Sequence, residues 1–324
     1  MEYGTIPGLD KKVSRIVQGT VMLNSEDPEP GYALLDGVYE AGCTAFDTAR
    51  HYGGGIEVVF GQWVRDRGVR DEVMLIGKGA HHSPERRRVT PQDIADDLEI
   101  SLGQFGLDYI DLYLLHRDDP EVPVGPIVEA LASHQKAGKI GAYGGSNWSH
   151  TRIAEANDYA AANGLAPFVA SSPNYSLAVW TEPPWPECVT LSGPDGKEAR
   201  AWYAEQKMPV IPWSSLAGGF FSGRFRRDNL DTFTNYYDLV CARSFGVEDN
   251  FKRLDRAEEL AKERGMTIAQ IAMAYILNQP VDVFPLVGCR TPAEFAENAA
   301  ALGTKLTPAE VAWLDLETDE KPGA

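Results

Sequence analysis

Asp108-Tyr109-Ile110-Asp111-Leu112-Tyr113-Leu114-Leu115-His116 is the stretch on which the fold turns. From 109 to 116 it is a short, mostly apolar run ending in a histidine, the pattern of a strand covered on both faces. Helical patterns flank it. Upstream, Thr90-Pro91 with Asp93 reads as a helix start: a hydroxyl cap, proline at the first position, then an acid. Ile94, Leu98, Leu102 and Phe105 follow on one face of that helix. Downstream, 126–137 reads as a helix and 140–146 as the next strand. Strand, helix, strand is a crossover unit, and its two strands run parallel.

The same alternation extends in both directions. Strands are expected at 16–20, 44–47, 73–78, 109–116, 140–146, 168–172, 210–213 and 283–287. Helices are expected at 30–41, 57–67, from 90 onward, and at 126–137, 151–163, 198–206, 250–264, 267–278 and 292–302. Eight rounds of strand then helix, with no repeated glycine-rich fingerprint, favour an α/β fold of the closed (β/α)8 TIM-barrel type over a doubly wound sheet. By length alone, 324 residues suit one barrel with insertions or two ordinary domains. No linker divides the chain, so 1–324 reads as a single barrel domain. The irregular stretches 180–197 and 216–249 both follow strands. They are expected, with the extra helices, at the C-terminal mouth, where barrel enzymes keep their chemistry.

Composition excludes several function classes. The net charge is −17, which argues against nucleic acid or an anionic membrane as partner. Cys43, Cys188, Cys241 and Cys289 are scattered, with no Cys-x-x-Cys pair, so neither a zinc site nor a disulfide framework is indicated. The first residues have no basic region and no apolar run, and no stretch is long enough to span a bilayer. A cytoplasmic chain with reduced thiols is expected.

Four polar residues stand at or just beyond strand ends: Asp47, Tyr52, Lys78 and His116. Taken singly, each is more commonly a packing, ion-pair or loop residue. In a barrel they converge on one mouth, and their chemistry fits together. Carbonyl reduction needs a hydride on carbon and a proton on oxygen. Tyrosine ordinarily titrates near ~10, and a nearby ammonium lowers that value. Lys78 can supply the charge, Asp47 can hold Lys78, and His116 can orient the carbonyl and relay the proton.

These residues lie in segments that resemble the aldo-keto reductase family. Phe46-Asp47-Thr48-Ala49-Arg50-His51-Tyr52-Gly53, with Glu57 and Gly61, resembles its first signature. Asp108–His116 resembles its central strand. Gly138-Lys139-Ile140 with Gly144-Gly145-Ser146-Asn147 is similar to the fifth-strand motif. Pro212-Trp213-Ser214-Ser215-Leu216-Ala217-Gly218-Gly219 is similar to the seventh, and Pro285-Leu286-Val287-Gly288-Cys289-Arg290 with Glu297-Asn298 to the last. The resemblance implies an NAD(P)H-dependent oxidoreductase that reduces an aldehyde or ketone, with the tetrad Asp47, Tyr52, Lys78 and His116. It further implies Ser146 and Asn147 on the nicotinamide carboxamide, with Trp213 stacked on the ring. Ser214, Leu216 and Gly218 would run along the pyrophosphate, Arg290 near the adenosine ribose or its 2′-phosphate, and Asn298 and Glu297 at adenine.

The chain also departs from the family pattern. Arg50 and His51 precede Tyr52 where an acid is usual; this basic pair could lower the tyrosine further, bind an anionic substrate group, or be a solvated loop charge. Ser172 replaces the usual Gln and reaches less far. Gly288 and Glu294 replace basic residues of strong NADPH binders; Glu294 could accept from a free ribose hydroxyl, as acids do in NAD sites. NADPH is the expected cofactor, with NADH the alternative. Arg50, His51, Arg117 and Asp118, together with the loop aromatics Trp180, Trp185, Tyr236 and Tyr237, suit a sugar or sugar derivative as small-molecule substrate. His81-His82 reads as a loop pair rather than a metal site, and Arg86-Arg87-Arg88 as a solvated run. The resemblance also admits a cofactor-binding regulatory subunit of a potassium channel with little turnover, or net non-redox chemistry with a retained nicotinamide. The oligomeric state is left open.

Overall fold

The computed structural model describes residues 1–53 and 55–323; of the Gly53–Gly55 run, Gly54 lies outside the described residues. Seven parallel strands curl into one sheet: β3 (Val17–Gly19), β4 (Ala45–Asp47), β5 (Met74–Gly79), β6 (Ile110–Leu115), β7 (Ile140–Ser146), β8 (Ala170–Ser172) and β9 (Leu286–Val287). Their spatial order is β8-β7-β6-β5-β4-β3-β9, which leaves β8 and β9 as the open edges.

The expected strand at 210–213 fills that gap without forming a regular ladder. Val210 bridges Ser171 on one side and Val283 on the other. Its N–H donates to Asp282 O at 2.8 Å, and Ile211 N–H to Ser171 O at 2.8 Å. Pro209 and Pro212 lack the N–H groups a longer ladder needs. The expected strand 283–287 is correspondingly short, Val283 contributing only its bridge. The barrel therefore closes through this irregular eighth stave, as a (β/α)8 architecture.

Helices cover the outside: α1 (Glu29–Glu40), α2 (Ile56–Arg67), α3 (Pro91–Phe105), α4 (Val124–Lys136), α5 (His150–Ala162), α6 (Lys197–Gln206), α8 (Glu248–Arg264), α9 (Ile268–Leu277) and α10 (Pro292–Ala299). Thr90 caps α3 through a reciprocal box: its hydroxyl accepts from Asp93 N, and Asp93 returns the bond to the Thr90 N–H. At Gly61 any side chain would collide with the backbone of Phe105, about 2.2 Å away, so glycine sets the close approach of α2 to α3.

Residues on β6 alternate as a two-sided strand requires. Leu112 and Leu114 join Ala45, Met74, Ile76, Ala142, Ala170, Ile211 and Phe284 inside the barrel. Tyr113 and Leu115 point out, under the helices. The floor is a two-stranded antiparallel ribbon, β1 (Tyr3–Gly4) and β2 (Val13–Ser14), which the sequence reading did not anticipate; it lends Ile6 and Val13 to the inner cluster. Two short helices were also unanticipated: α7 (Tyr236–Phe245), inside the long stretch 216–249, and α11 (Pro308–Leu314). Among the described residues no helix is long and apolar enough to cross a membrane.

Candidate active site

Three successive strands deliver the expected tetrad to the C-terminal mouth. Asp47 ends β4, Lys78 lies near the end of β5, and His116 follows β6, its N–H donating to Gly79 O at 2.8 Å. Tyr52 closes a short 3-10 turn, Arg50–Tyr52, after β4. The Lys78 ammonium donates to the Asp47 carboxylate and, at 3.4 Å, to Thr48 O, and both charged groups are buried. Lys78 Nζ sits 5.9 Å from the Tyr52 ring centroid. The His116 imidazole stands edge-on to Tyr52, centroids 6.1 Å apart.

The electrostatics correct one expectation. Lys78 does not bring the Tyr52 phenol down. Burial, and after it the Asp47 carboxylate, hold the phenol well above its usual range. Asp47 largely neutralises Lys78, so the pair shows the ring little net positive charge. Tyr52 therefore rests as a neutral O–H, the form a proton donor needs. His116 is pushed well below its usual value by burial, then by Lys78 and Arg117, so it is a neutral imidazole at pH 7.

The residues expected to face substrate separate into two sets. Arg50 acts on the buried Glu57 carboxyl behind the Tyr52 turn, and its own Nε is buried without a partner. Asp118 is taken up by Arg152 at 3.2 Å. By contrast, His51 stacks on His81, centroids 3.5 Å apart, and both stand edge-on to His116, at 6.2 and 4.8 Å. His81 is therefore part of the mouth and not a bystander. Arg117 is buried beside it and donates to His116 O at 2.9 Å. The run 86–88 is not simply solvated either. Arg86 and Arg88 hold Asp93 and Asp97 of α3, while Arg87 reaches Asp119 and Glu187.

The Ser146 hydroxyl donates to Ser172 O at 2.8 Å. Asn147, at φ 59°, donates to His116 O and accepts from Trp213 Nε1 at 3.2 Å, which fixes the indole. Trp180 and Trp185 pack on that indole, centroids 6.1 and 5.8 Å away, and Trp185 donates to Tyr236. The two long loops are thus joined over Trp213.

Whether a dinucleotide fits can be tested on unfilled polar atoms. Beyond Trp213 the backbone enters left-handed geometry at Ser214, Ala217, Gly218 and Gly219. Among the described residues, the N–H groups of Ser214, Ser215 and Leu216 meet no protein acceptor. Such a row of free amides is a nest for phosphate oxygens. Just beyond the strand ends at the mouth, the hydroxyls of Thr20 and Thr48, and at the end of β8 that of Ser172, are buried without partners. The residues present fit the group. At the far end Glu294 accepts from its neighbour Arg290 N–H at 2.7 Å, with Thr291 capping α10. Asn298 is buried, donating to Cys289 Sγ; Gly288 and Glu297 are exposed, and Glu297 borders a cleft of about 340 Å³.

Several mouth residues escaped the sequence reading. Thr20 and Thr48 lie directly beyond β3 and β4, a position that could have marked them. Arg224 is held by Asp238 at 2.8 Å, and Asp238 also feels Arg290, which gathers positive charge near the phosphate nest. Tyr237, on the unexpected α7, reaches the Tyr52 phenol electrostatically. Among the described residues no group of three metal-ligating side chains is assembled.

Comparisons with known proteins agree with this architecture. The Aldo/keto reductase family matches residues 15–316. The chain is 28% identical to norsolorinic acid reductase stcV of Emericella nidulans, over 91% of this chain and 73% of that protein. It is 29% identical to the aldo-keto reductase yakc [NADP(+)] of Schizosaccharomyces pombe, over 90% and 83%. A probable voltage-gated potassium channel subunit beta of Oryza sativa subsp. japonica is 25% identical over 99% and 98%. With a parallel barrel, a polar cluster at its mouth and a match over nearly its whole length, this chain belongs to the aldo/keto reductase family of NAD(P)H-dependent oxidoreductases.

Proposed function

We propose that the chain acts as one barrel domain that reduces the carbonyl of a polar small molecule, such as a sugar derivative, to an alcohol, with Tyr52 giving the proton. The observation that carries this reading is the buried Lys78–Asp47 pair beneath a neutral Tyr52 O–H, with a neutral His116 edge-on to it. When bound, the nicotinamide supplies the hydride from its C4. The protein's own residues do the rest. His116 orients the carbonyl oxygen toward the phenol. As negative charge grows on that oxygen, the phenol proton moves to it, leaving a phenolate whose charge Arg117, which acts to lower the Tyr52 phenol, helps to offset. Asp47 keeps Lys78 in place. Polar groups around the mouth, His51, His81 and Arg117, favour a hydroxylated or charged substrate over a greasy one.

NADPH is the proposed cofactor. Glu294 spends one carboxylate oxygen on the Arg290 backbone, and among the described residues the Arg290 guanidinium has no carboxylate partner. An unpaired guanidinium beside the nest suits a 2′-phosphate. The name of the Schizosaccharomyces relative points the same way. The test is oxidation of NADPH and NADH against a panel of carbonyls, with wild type and Tyr52→Phe side by side. Turnover by wild type, with Tyr52→Phe binding cofactor but not turning over, supports the assignment. Cofactor binding without turnover by wild type would favour the second reading, a cofactor-binding subunit, which the near full-length match to a channel subunit keeps in view.

A further inference from the structure

We propose that Arg117 and the histidines around it form a receptor for an oxyanion, carboxylate or phosphate, carried by the substrate a few bonds from its reducible carbonyl. This rests on the reductase reading and narrows its substrate class.

Arg117 is 7% exposed. Its guanidinium donates to a neutral acceptor, His116 O at 2.9 Å, and among the described residues no carboxylate pairs with it. The acids nearby are committed elsewhere. Asp118 is held by Arg152, Asp119 by Arg87, and Glu187 by Arg87 and by His82 Nδ1 at 2.7 Å. Asp47 belongs to Lys78. A buried guanidinium without a counter-ion is costly unless something else supplies the charge.

What surrounds Arg117 is a set of imidazoles whose free ring nitrogens become donors on protonation. His82, with Nδ1 tied to Glu187, leaves Nε2 buried and unpartnered; His116 Nδ1 is in the same condition. His51, within Tyr52's own turn, stacks on His81. The charge of Arg117 is felt at Tyr52, His51, His81, His82 and His116. Burial first, with Arg117 contributing, holds His81 down at about 4 and lowers His51 and His82. An arriving oxyanion offsets that repulsion and can draw protons onto the ring nitrogens. Guanidinium plus imidazole N–H groups is a common recognition set for carboxylate and phosphate.

The experiment compares charged carbonyls with neutral analogues: succinic semialdehyde with its methyl ester, and glyceraldehyde 3-phosphate with glyceraldehyde. Wild type is expected to prefer the anionic member of at least one pair, and which pair responds identifies carboxylate or phosphate as the source. In Arg117→Met the ratio of kcat/KM values, anionic over neutral, should fall by roughly 30-fold or more, mainly through KM, with Arg117→Lys partly restoring it. Since Arg117 is buried, His82→Gln serves as a second variant at the edge of the cluster and should lower the same ratio. A readout independent of turnover is histidine NMR titration with succinate or inorganic phosphate. Wild-type His81 and His82 pKa values should rise on anion addition, and those of Arg117→Met should not. Equal ratios in all variants together with no histidine response would overturn the receptor while leaving the reductase intact. No turnover of any carbonyl, with the histidine response present, would overturn the reductase reading and leave the receptor standing.

Discussion

The two ends of the barrel treat their polar groups in opposite ways. At the floor the buried side chains of Ser14 and Asp111 are fully engaged. Ser14 Oγ donates to Ile16 O and accepts from Thr44 N and Ala45 N, all within 3.1 Å. Buried Asp111 takes Lys11 at 2.7 Å, Arg70 at 2.8 Å and the Leu75 N–H at 2.9 Å. At the mouth, Thr20, Asp47, Thr48, His82, His116 and Ser172 each keep a buried polar atom without a partner. Saturated groups hold strands together, whereas open ones wait for a ligand. In a barrel this is the expected division between the end that confers stability and the end that performs chemistry.

The largest effect should come from the open end. Tyr52→Phe removes the proton donor and little else, so carbonyl reduction is expected to fall by about 10²–10⁴. Cofactor affinity, read by fluorescence, and Tm should stay close to wild type. A large fall in Tm would mean that Tyr52 is structural, and that the two ends are less distinct than described.

The floor should answer in stability. Asp111→Ala strands the Lys11 and Arg70 charges and opens the Leu75 N–H. Breaking a buried charge network in this way costs about 3–5 kcal/mol. Chemical denaturation measures it, and kcat on the folded fraction should be unchanged. Loss of activity without loss of stability would show that the floor reaches the site.

The same contrast explains what could be read from residues alone. Strand 110–115 was legible because both of its faces are buried, which makes its run apolar, and α3 because its cap and first-turn acid are local signals. The tetrad was legible because Asp47, Lys78 and His116 end or follow such runs. The strand expected at 210–213 forms only isolated bridges, because Pro209 and Pro212 cannot donate to a ladder and its partners are residues far away in sequence. The floor ribbon has two-residue strands, too short for a period to show. Arg117 was placed at the mouth, but its isolation was hidden: that depends on where Asp118, Asp119 and Glu187 turn, and tertiary partners decide this.

Glu57 lies in the wall behind Tyr52 and offers a smaller, pH-dependent test. Its carboxyl accepts from Ser101 at 2.8 Å, and burial pushes it up to about 7 despite that bond and Arg50, with Asp97 adding to the rise. Between pH 4.5 and about 7 the unfolded chain has released this proton and the folded chain retains it. Stability therefore falls as pH rises through that window, and the full cost of roughly 3 kcal/mol is present above it. His81, held at about 4, works in the opposite sense: between 4 and 6.5 stability rises with pH, partly masking Glu57. The informative quantity is the difference between wild type and Glu57→Gln. Its stability advantage should grow from pH 5 to pH 8 in denaturant titrations; a flat difference would place the Glu57 pKa near its ordinary value.

The smallest expected effect sharpens the contrast within the mouth itself, between a guanidinium that is exposed and one that is buried. Arg290 is solvent-exposed, so a phosphate contact there competes with water and is partly screened. Arg290→Leu should therefore raise KM for NADPH by about tenfold, equivalent to ~1.4 kcal/mol, and leave KM for NADH and the Tm nearly unchanged. The increase should shrink as salt is added, because a screened contact has less to lose. At buried Arg117 the salt dependence should be weak. If Arg290→Leu raises both cofactor constants alike, Arg290 senses the shared phosphates of the nest and not a 2′-phosphate. The next residue to test for cofactor selectivity would then be Arg224, which pairs with Asp238, a carboxylate that also feels Arg290.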